Sequence, residues 1–353
     1  MNRILQIIIF LIVFLSVYFI LNYYTFFRIL GLFEIKKTYM VYSIFISLSL
    51  SYIISSILVR TFHNFFTRSL YTLSSVYMGV LIFAFSTLLI YEIINLFYKS
   101  DPKIAGIIIL VIVLFVSLYS IINSLKTEIV EVELENFGKG TKIVQLSDVH
   151  VGTMKNSKYL TELVAKVNNL KPDIVLITGD LVDGSGPLYY ESYQPLEKLN
   201  AKTFFIHGNH ETYEGLLEVE NIIKKLNITL LKNEVVEYRG VQIAGIEFTE
   251  RKDLVKSSIE NLNVSDIKPS VLMTHVPLGY EEASKKGFNL MLSGHTHNGQ
   301  IYPFNLLVRI AFKHIKGAYD IGEMMHYVSP GTSTWGPPMR LGSKNEITVF
   351  NTI

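Results

Sequence analysis

Lys142–Ile143–Val144–Gln145–Leu146–Ser147–Asp148–Val149–His150 opens the part of the chain that decides the fold. A short run rich in aliphatic and β-branched residues reads as a buried strand. Here it stops at an aspartate and a histidine, side chains that bind metal. The arrangement recurs downstream. Asp173–Ile177 leads into Thr178–Gly179–Asp180, and Thr203–Ile206 leads into His207–Gly208–Asn209–His210–Glu211. Ser270–Met273 leads into Thr274–His275, and Asn289–Leu292 leads into Ser293–Gly294–His295–Thr296–His297–Asn298–Gly299. Helical patterns lie between some of these runs, notably Ser157–Asn169 and Leu216–Leu226. Strands alternating with helices predict an α/β sheet whose ligands gather at the carboxyl ends of the strands. All five clusters sit at that end.

The residue types fit a defined chemistry. Hard carboxylates, an amide oxygen and neutral imidazoles suit Mn²⁺, Zn²⁺ or Fe. The chain has no cysteine, which excludes disulfides and thiolate ligands. A carboxylate can bridge two ions about 3.5–4 Å apart, and such a pair neutralises a phosphoryl group and supplies a bound hydroxide for in-line attack. Gly179, Gly208 and Gly294 are expected to allow a tight turn after each strand, so that ligand side chains point across the sheet edge. Taken singly, an Asp after a strand is usually a turn residue, and a lone His is usually a core or surface residue. Yet of nine histidines, His150, His210, His275, His295 and His297 all fall in these clusters. Incidental placement does not explain that.

Outward from the clusters, the composition divides the chain into 1–126 and 127–353. Up to about Lys126 the residues are mostly Ile, Leu, Phe, Val, Tyr and Ser; from about Thr127 charges are mixed with regular Gly, Asn and Pro. The second part, roughly 225 residues, suffices for one domain with a large core. In the first, Ile4–Tyr24, Tyr39–Val59, Leu70–Phe97 and Ile104–Leu125 each reach the ~20 residues of a membrane-crossing helix. A buried helix of a soluble protein explains one such run but not four in succession. The first exceeds a signal-peptide core, and no small-residue cleavage site follows it.

Four spans put the N-terminus and the second part on one face. Arg3, Arg60, Arg68 and Lys126 lie on that face, against Arg28, Lys36, Lys37, Lys99 and Lys103 on the other. The preference of positive loops for the cytoplasm therefore places the second part outside it, by one residue. Glu92, near the end of the third run, is expected at the interface. Ser43, Ser47, Ser51, Ser55, Ser74 and Ser75 are expected to serve close helix packing. No transport path is expected. A formal net charge of +2 gives no reason to expect a nucleic-acid-binding surface.

The second part resembles the calcineurin-like metallophosphoesterases. The resemblance is carried by Asp148-x-His150, Gly179–Asp180, Gly208–Asn209–His210–Glu211, His275 and Gly294–His295–Thr296–His297. Gly294–Gln300 and Thr334–Arg340 look like its bacterial, membrane-anchored branch. The resemblance implies a four-layer α/β/β/α sandwich and two divalent metal ions. It implies one metal on Asp148, His150, Asp180 and His297, and another on Asp180, Asn209, His275 and His295, with Asp180 bridging. His210 would be the general acid or a phosphate-stabilising donor. No motif position departs from the family pattern.

Hydrolysis of a phosphomonoester or phosphodiester substrate at the membrane bilayer is thus expected. Cleavage of a lipid-linked pyrophosphate and a non-catalytic metal-bound scaffold are the alternatives. Among neighbouring residues, His207 divides between lining the pocket and strand-end packing. Arg340 divides between gripping a substrate phosphate and pinning the C-terminal loop. Asp183 and Glu211 are expected to support ligands or turns, and His314 and His326 to be structural. The apolar run Ile301–Phe312 is expected to be buried or to cover a loop, in preference to touching the membrane.

Overall fold

The structure is a computed structural model and describes residues 3–135, 137 and 140–353; Met1, Asn2, Asn136, Gly138 and Lys139 lie outside the described residues. Two compact units divide the chain: Met1–Ile122 with Gly336–Met339, and Asn123–Trp335 with Arg340–Ile353.

Four long helices dominate the first unit: α1 (Arg3–Leu32), α2 (Tyr39–Thr61), α3 (Phe65–Phe97) and α4 (Pro102–Ser124). All four are long and apolar enough to cross a membrane. Two differ in extent from the sequence reading. The third starts earlier, at Phe65, because Asn64 caps it, accepting from the Thr67 amide at 3.1 Å. The first runs on to Leu32, past Arg28, whose charge is paired: its Nε lies 2.5 Å from Glu92 Oε1 on α3. Glu92 is therefore the partner of a cation, and it stays half-buried. Ser55 and Ser74 share a 2.6 Å hydrogen bond between α2 and α3, the role expected of small polar residues in close helix packing. Asn22, which sequence reading passes over, is fully buried and accepts from the Tyr77 hydroxyl at 2.7 Å, tying α1 to α3.

The second unit rests on twelve described strands. They begin with β1 (Thr127–Leu134), β2 (Lys142–Leu146), β3 (Ile174–Ile177), β4 (Lys202–Phe205), β5 (Ile228–Leu230) and β6 (Glu234–Tyr238). They continue with β7 (Val241–Gly245), β8 (Ser270–Met273), β9 (Leu290–Ser293), β10 (Gly317–Ile321), β11 (Met324–Val328) and β12 (Asn345–Thr352). Two six-stranded sheets result, ordered β1-β12-β2-β3-β4-β5 and β10-β11-β9-β8-β7-β6. β2 to β5 run parallel, as do β7, β8, β9 and β11.

The helices of this unit are α5 (Ser157–Asn169), α6 (Tyr190–Tyr193), α7 (Asn209–Glu214), α8 (Leu216–Ile223), α9 (Lys252–Glu260), α10 (Tyr280–Lys285) and α11 (Phe304–Ala311). In α5, Leu160, Leu163, Val164 and Val167 recur at helical spacing and are buried, while Asn156 caps the start. Ile143, Leu176, Ile243, Val271 and Leu292 pack between the sheets. Their strand neighbours face outward, Val144 and Ile177 against α5 and α8, Leu272 and Met291 against α9 and α10. Both faces of the central strands are thus covered, which is why they read as unbroken apolar runs. The layers are helix, sheet, sheet, helix, as the resemblance implies.

The run Ile301–Phe312 is expected to be buried or to cover a loop. It starts at buried Ile301, but no residue of α11 is buried. The helix instead lies over the 297–299 loop, with the Asn305 backbone against Gly299. The cores on the outer faces of the two sheets already close without it, and they include none of its side chains.

Candidate metal centre

Strands β2, β3 and β4 of one sheet and β8 and β9 of the other deliver Asp148, His150, Asp180, Asn209, His210, His275, His295 and His297 to one edge. The turns that do so are sharp. Asp148, His150, Asp180, His295 and His297 hold φ between 48° and 69°, a region costing a non-glycine residue of order ~1–3 kcal/mol. Asp and His tolerate it better than most. Gly179 turns with φ 88°, as expected, but Gly208 and Gly294 have no positive φ. Their use is space: a Cβ on Gly208 would strike Asp180, and one on Gly294 would strike Ser147 and Asp148.

Two groups of donors face each other across Asp180. His297 Nε2 lies 3.3 Å from Asp148 Oδ1 and 3.1 Å from His150 Nε2. Asn209 Oδ1 lies 3.0 Å from His275 Nε2 and 2.9 Å from His295 Nδ1. Asp180 Oδ2 is 3.3 Å from His275 Nε2, 3.9 Å from His150 Nε2 and 4.0 Å from His210 Nε2. All are buried except His295, which is half-buried.

Burial acts to raise the Asp180 pKa, but His275, then His210 and His150, hold it well below the usual carboxylate range. Burial likewise acts to lower His275, and the charge and hydrogen bond of Asp180 override it, lifting its pKa to about 10. His295 drops to about 4 through burial and the neighbouring His275. Burial takes His150 and His297 well below their ordinary value. The edge therefore attracts positive charge while keeping three imidazoles neutral, the state in which they bind metal.

Supporting groups fix this arrangement. Glu211 Oε2 accepts from the amides of Gly208 and Asp180 at 2.6 and 3.0 Å, and Oε1 from that of Val182 at 3.1 Å. Burial and the Asp180 charge push its pKa up to about 7. His210 donates from Nδ1 to the Asp183 carbonyl at 2.8 Å, which leaves Nε2 toward Asp180. Asp183 also lies beside His150, Oδ1 to Nδ1 3.8 Å. Trp335 stands edge-on to the His210 ring at 5.8 Å and Tyr213 lies 5.6 Å from it. Both rings are exposed. Sequence reading passes over Tyr213 and meets Trp335 only within the Thr334–Arg340 stretch, without giving it a role; the signal is that Trp335 is the one tryptophan in the chain.

The family profile of calcineurin-like phosphoesterases matches residues 141–299, a span that contains all the candidate donors and His210. An uncharacterized metallophosphoesterase of Campylobacter jejuni is 35% identical over 271 residues, covering 73% of this chain and 71% of its own. The chain belongs to the calcineurin-like metallophosphoesterases. An uncharacterized metallophosphoesterase of Helicobacter pylori is 35% identical over 224 residues, 61% of this chain and 60% of its own. A Bos taurus transmembrane protein with metallophosphoesterase domain is 35% identical over 233 residues, 59% of this chain and 52% of its own. The chain thus spans about half to seven-tenths of these relatives' lengths.

This metallophosphoesterase is a metal-dependent phosphoester hydrolase, and its residues fit divalent ions. Three sets of atoms each lie within 4.8 Å of one another: Asp148, His150 and His297; His150, Asp180 and His210; Asp180, His275 and His295. The donors are oxygen and nitrogen throughout, and the buried Nδ1 of His150 has no hydrogen-bond partner.

Arg340 is not free to grip a phosphate. It is fully buried, and its five N–H bonds go to Asn345 Oδ1, Ser343 Oγ and the carbonyls of His297, Pro330 and Ser333. It pins the C-terminal loop to the turn that presents His297. His207 faces Glu220, 3.8 Å away, and packs outside the cluster. His314 and His326 meet each other at 2.9 Å between the rings of Tyr280 and Tyr319.

Proposed function

We propose that the metallophosphoesterase is a membrane-anchored enzyme that hydrolyses a phosphomonoester or phosphodiester at two divalent ions, with His210 as the acid. Asp148, His150, Asp180 and His297 would hold one ion; Asp180, Asn209, His275 and His295 would hold the other. One observation carries this reading: Asp180 Oδ2 lies within 4.0 Å of nitrogens from both groups. When bound, the ions (Mn²⁺, Zn²⁺ or Fe by the hardness of these donors) neutralise the phosphoryl charge and acidify water for the attack.

The chain's own residues do the rest. Because His210 Nδ1 donates to the Asp183 carbonyl, Nε2 is the nitrogen left to face the centre, and it is in the imidazolium form that Nε2 would carry the proton to be transferred. From there it reaches the leaving oxygen, a contribution of about 10²–10⁴-fold to rate. Trp335 and Tyr213 offer an apolar rim beside that oxygen, which also suits a lipid-linked pyrophosphate. A scaffold without turnover is disfavoured by the complete donor set and the oriented His210.

The test is a panel of monoester, diester and pyrophosphate substrates with the purified chain and added Mn²⁺ or Zn²⁺. His210→Ala should keep its metal content and lose about 10²–10⁴-fold on substrates with poor leaving groups, and less on nitrophenyl esters. Near-wild-type turnover of a poor-leaving-group substrate by that variant rejects the acid role. Wild-type protein that binds two metals yet hydrolyses nothing on the panel replaces the enzyme reading with the scaffold.

A further inference from the structure

Helix α11 is amphipathic the wrong way round for a domain in water. Leu306, Leu307 and Ile310 share one face by their i, i+3 and i+4 spacing, and they are 51%, 59% and 82% exposed. The opposite side meets the protein. The backbone of Asn305 lies so close to Gly299 that a Cβ there would collide with it, and the Phe312 ring lies 5.6 Å from the ring of His295. Both ends of the helix are therefore fixed to the candidate metal centre while its apolar face has no cover from the described residues. Tyr302 and Phe304 extend that exposed surface.

The charge around the face is one-sided. Arg309, Lys313 and Lys316 are exposed, and residues 299–317 contain no Asp or Glu. Among the described residues none of these three cations has a carboxylate partner. A second copy of the chain meeting this face about a two-fold axis would set the cations against themselves. A bilayer with anionic headgroups satisfies both features, taking apolar side chains below the headgroups and cations at their level. Such a surface is also within reach: only Leu125 and Lys126 separate membrane-suited α4 from β1.

We propose that α11 is an interfacial helix that lies in the headgroup layer of an anionic bilayer and holds the metal-bearing edge of the sheets at the membrane surface. The docking does not depend on which phosphoester is cleaved. Its consequence is that the bond presented to the centre lies at headgroup depth.

Because the chain has no cysteine, Leu307→Cys and Ile310→Cys each carry one environment-sensitive fluorophore. Ile267→Cys, at a site 94% exposed on another loop, is the control. The full chain is placed one copy per nanodisc in phosphatidylcholine with phosphatidylglycerol, with brominated acyl chains as quencher. Probes at 307 and 310 should emit to the blue of the control and be quenched at least about two-fold, and omitting phosphatidylglycerol or adding R309E with K313E should reverse this. Emission and quenching equal to those at 267 overturn the proposal. A blue shift that appears only with two copies per disc also overturns it, in favour of self-association.

Discussion

Both oxygens of Glu211 accept backbone amides, those of Gly208 and Asp180 on one side and Val182 on the other. The turn that aims Asp180 into the centre thus hangs on a side chain that is not among the proposed ligands. Glu211→Gln keeps the shape but sets an NH₂ group against an amide N–H, so one donor loses its acceptor. Supporting groups of this kind are worth about 10–100-fold in metal affinity or activity. Titration of Glu211→Gln with Mn²⁺ should show weakening on that scale with the fold retained, and unchanged affinity would remove the role. The donor residues are legible in the sequence because each ends an aliphatic run. Direction is what the sequence does not carry. Arg340 can read as a phosphate grip until its five donors are seen to be taken. Gly208 and Gly294 read as turn residues, whereas the structure uses their missing Cβ.

At the scale of elements, the parallel strands β5, β7 and β11 are not singled out, whereas β2, β3, β4, β8 and β9 are legible because they are buried and read as continuous apolar segments that end in metal-type residues. β6, β10 and β1 are not: their burial is partial and charged residues interrupt them, as in Glu234–Tyr238 and Gly317–Ile321. α11 is legible as an apolar run but not in its orientation, since periodicity gives a face without saying what it faces.

β11 adds a polar seam that no motif announces. His326 bonds Ser293 on β9 at 3.0 Å, and Ser293 bonds Thr274, next to β8, at 2.8 Å. Burial, then His314, pushes the His326 pKa down to about 3 from an ordinary 6.5. The folded chain then binds fewer protons than the unfolded one between those values. The contribution is present in full above about pH 6.5 and is lost as pH falls toward about 3, by at most ~1.4 kcal/mol per pH unit. Thermal unfolding of the solubilised chain should fall steeply over this window, and less steeply in His326→Leu. Equal slopes would contradict the assignment.

For the whole molecule, four membrane-suited helices and a hydrolase domain share one chain, and we propose an orientation for it from the charges flanking the helices. With four spans, five basic residues (Arg28, Lys36, Lys37, Lys99 and Lys103) would lie on the face opposite the domain against four on its own, which favours the proposal of a domain outside the cytoplasm. A C-terminal fusion to an export-dependent phosphatase should be active and one to a cytoplasm-dependent fluorescent protein dark; the reverse pair of results would place the domain inside. Independently of sidedness, we propose that one carboxylate, Asp180, joins two metal sites. Elemental analysis of purified protein measures it directly. Wild type should carry about two divalent ions per chain and His297→Ala about one, whereas Asp180→Asn, stripped of the bridge, should lose occupancy at both sites and fall below one. Asp180→Asn protein that is folded and retains the wild-type metal content would contradict the shared-carboxylate centre.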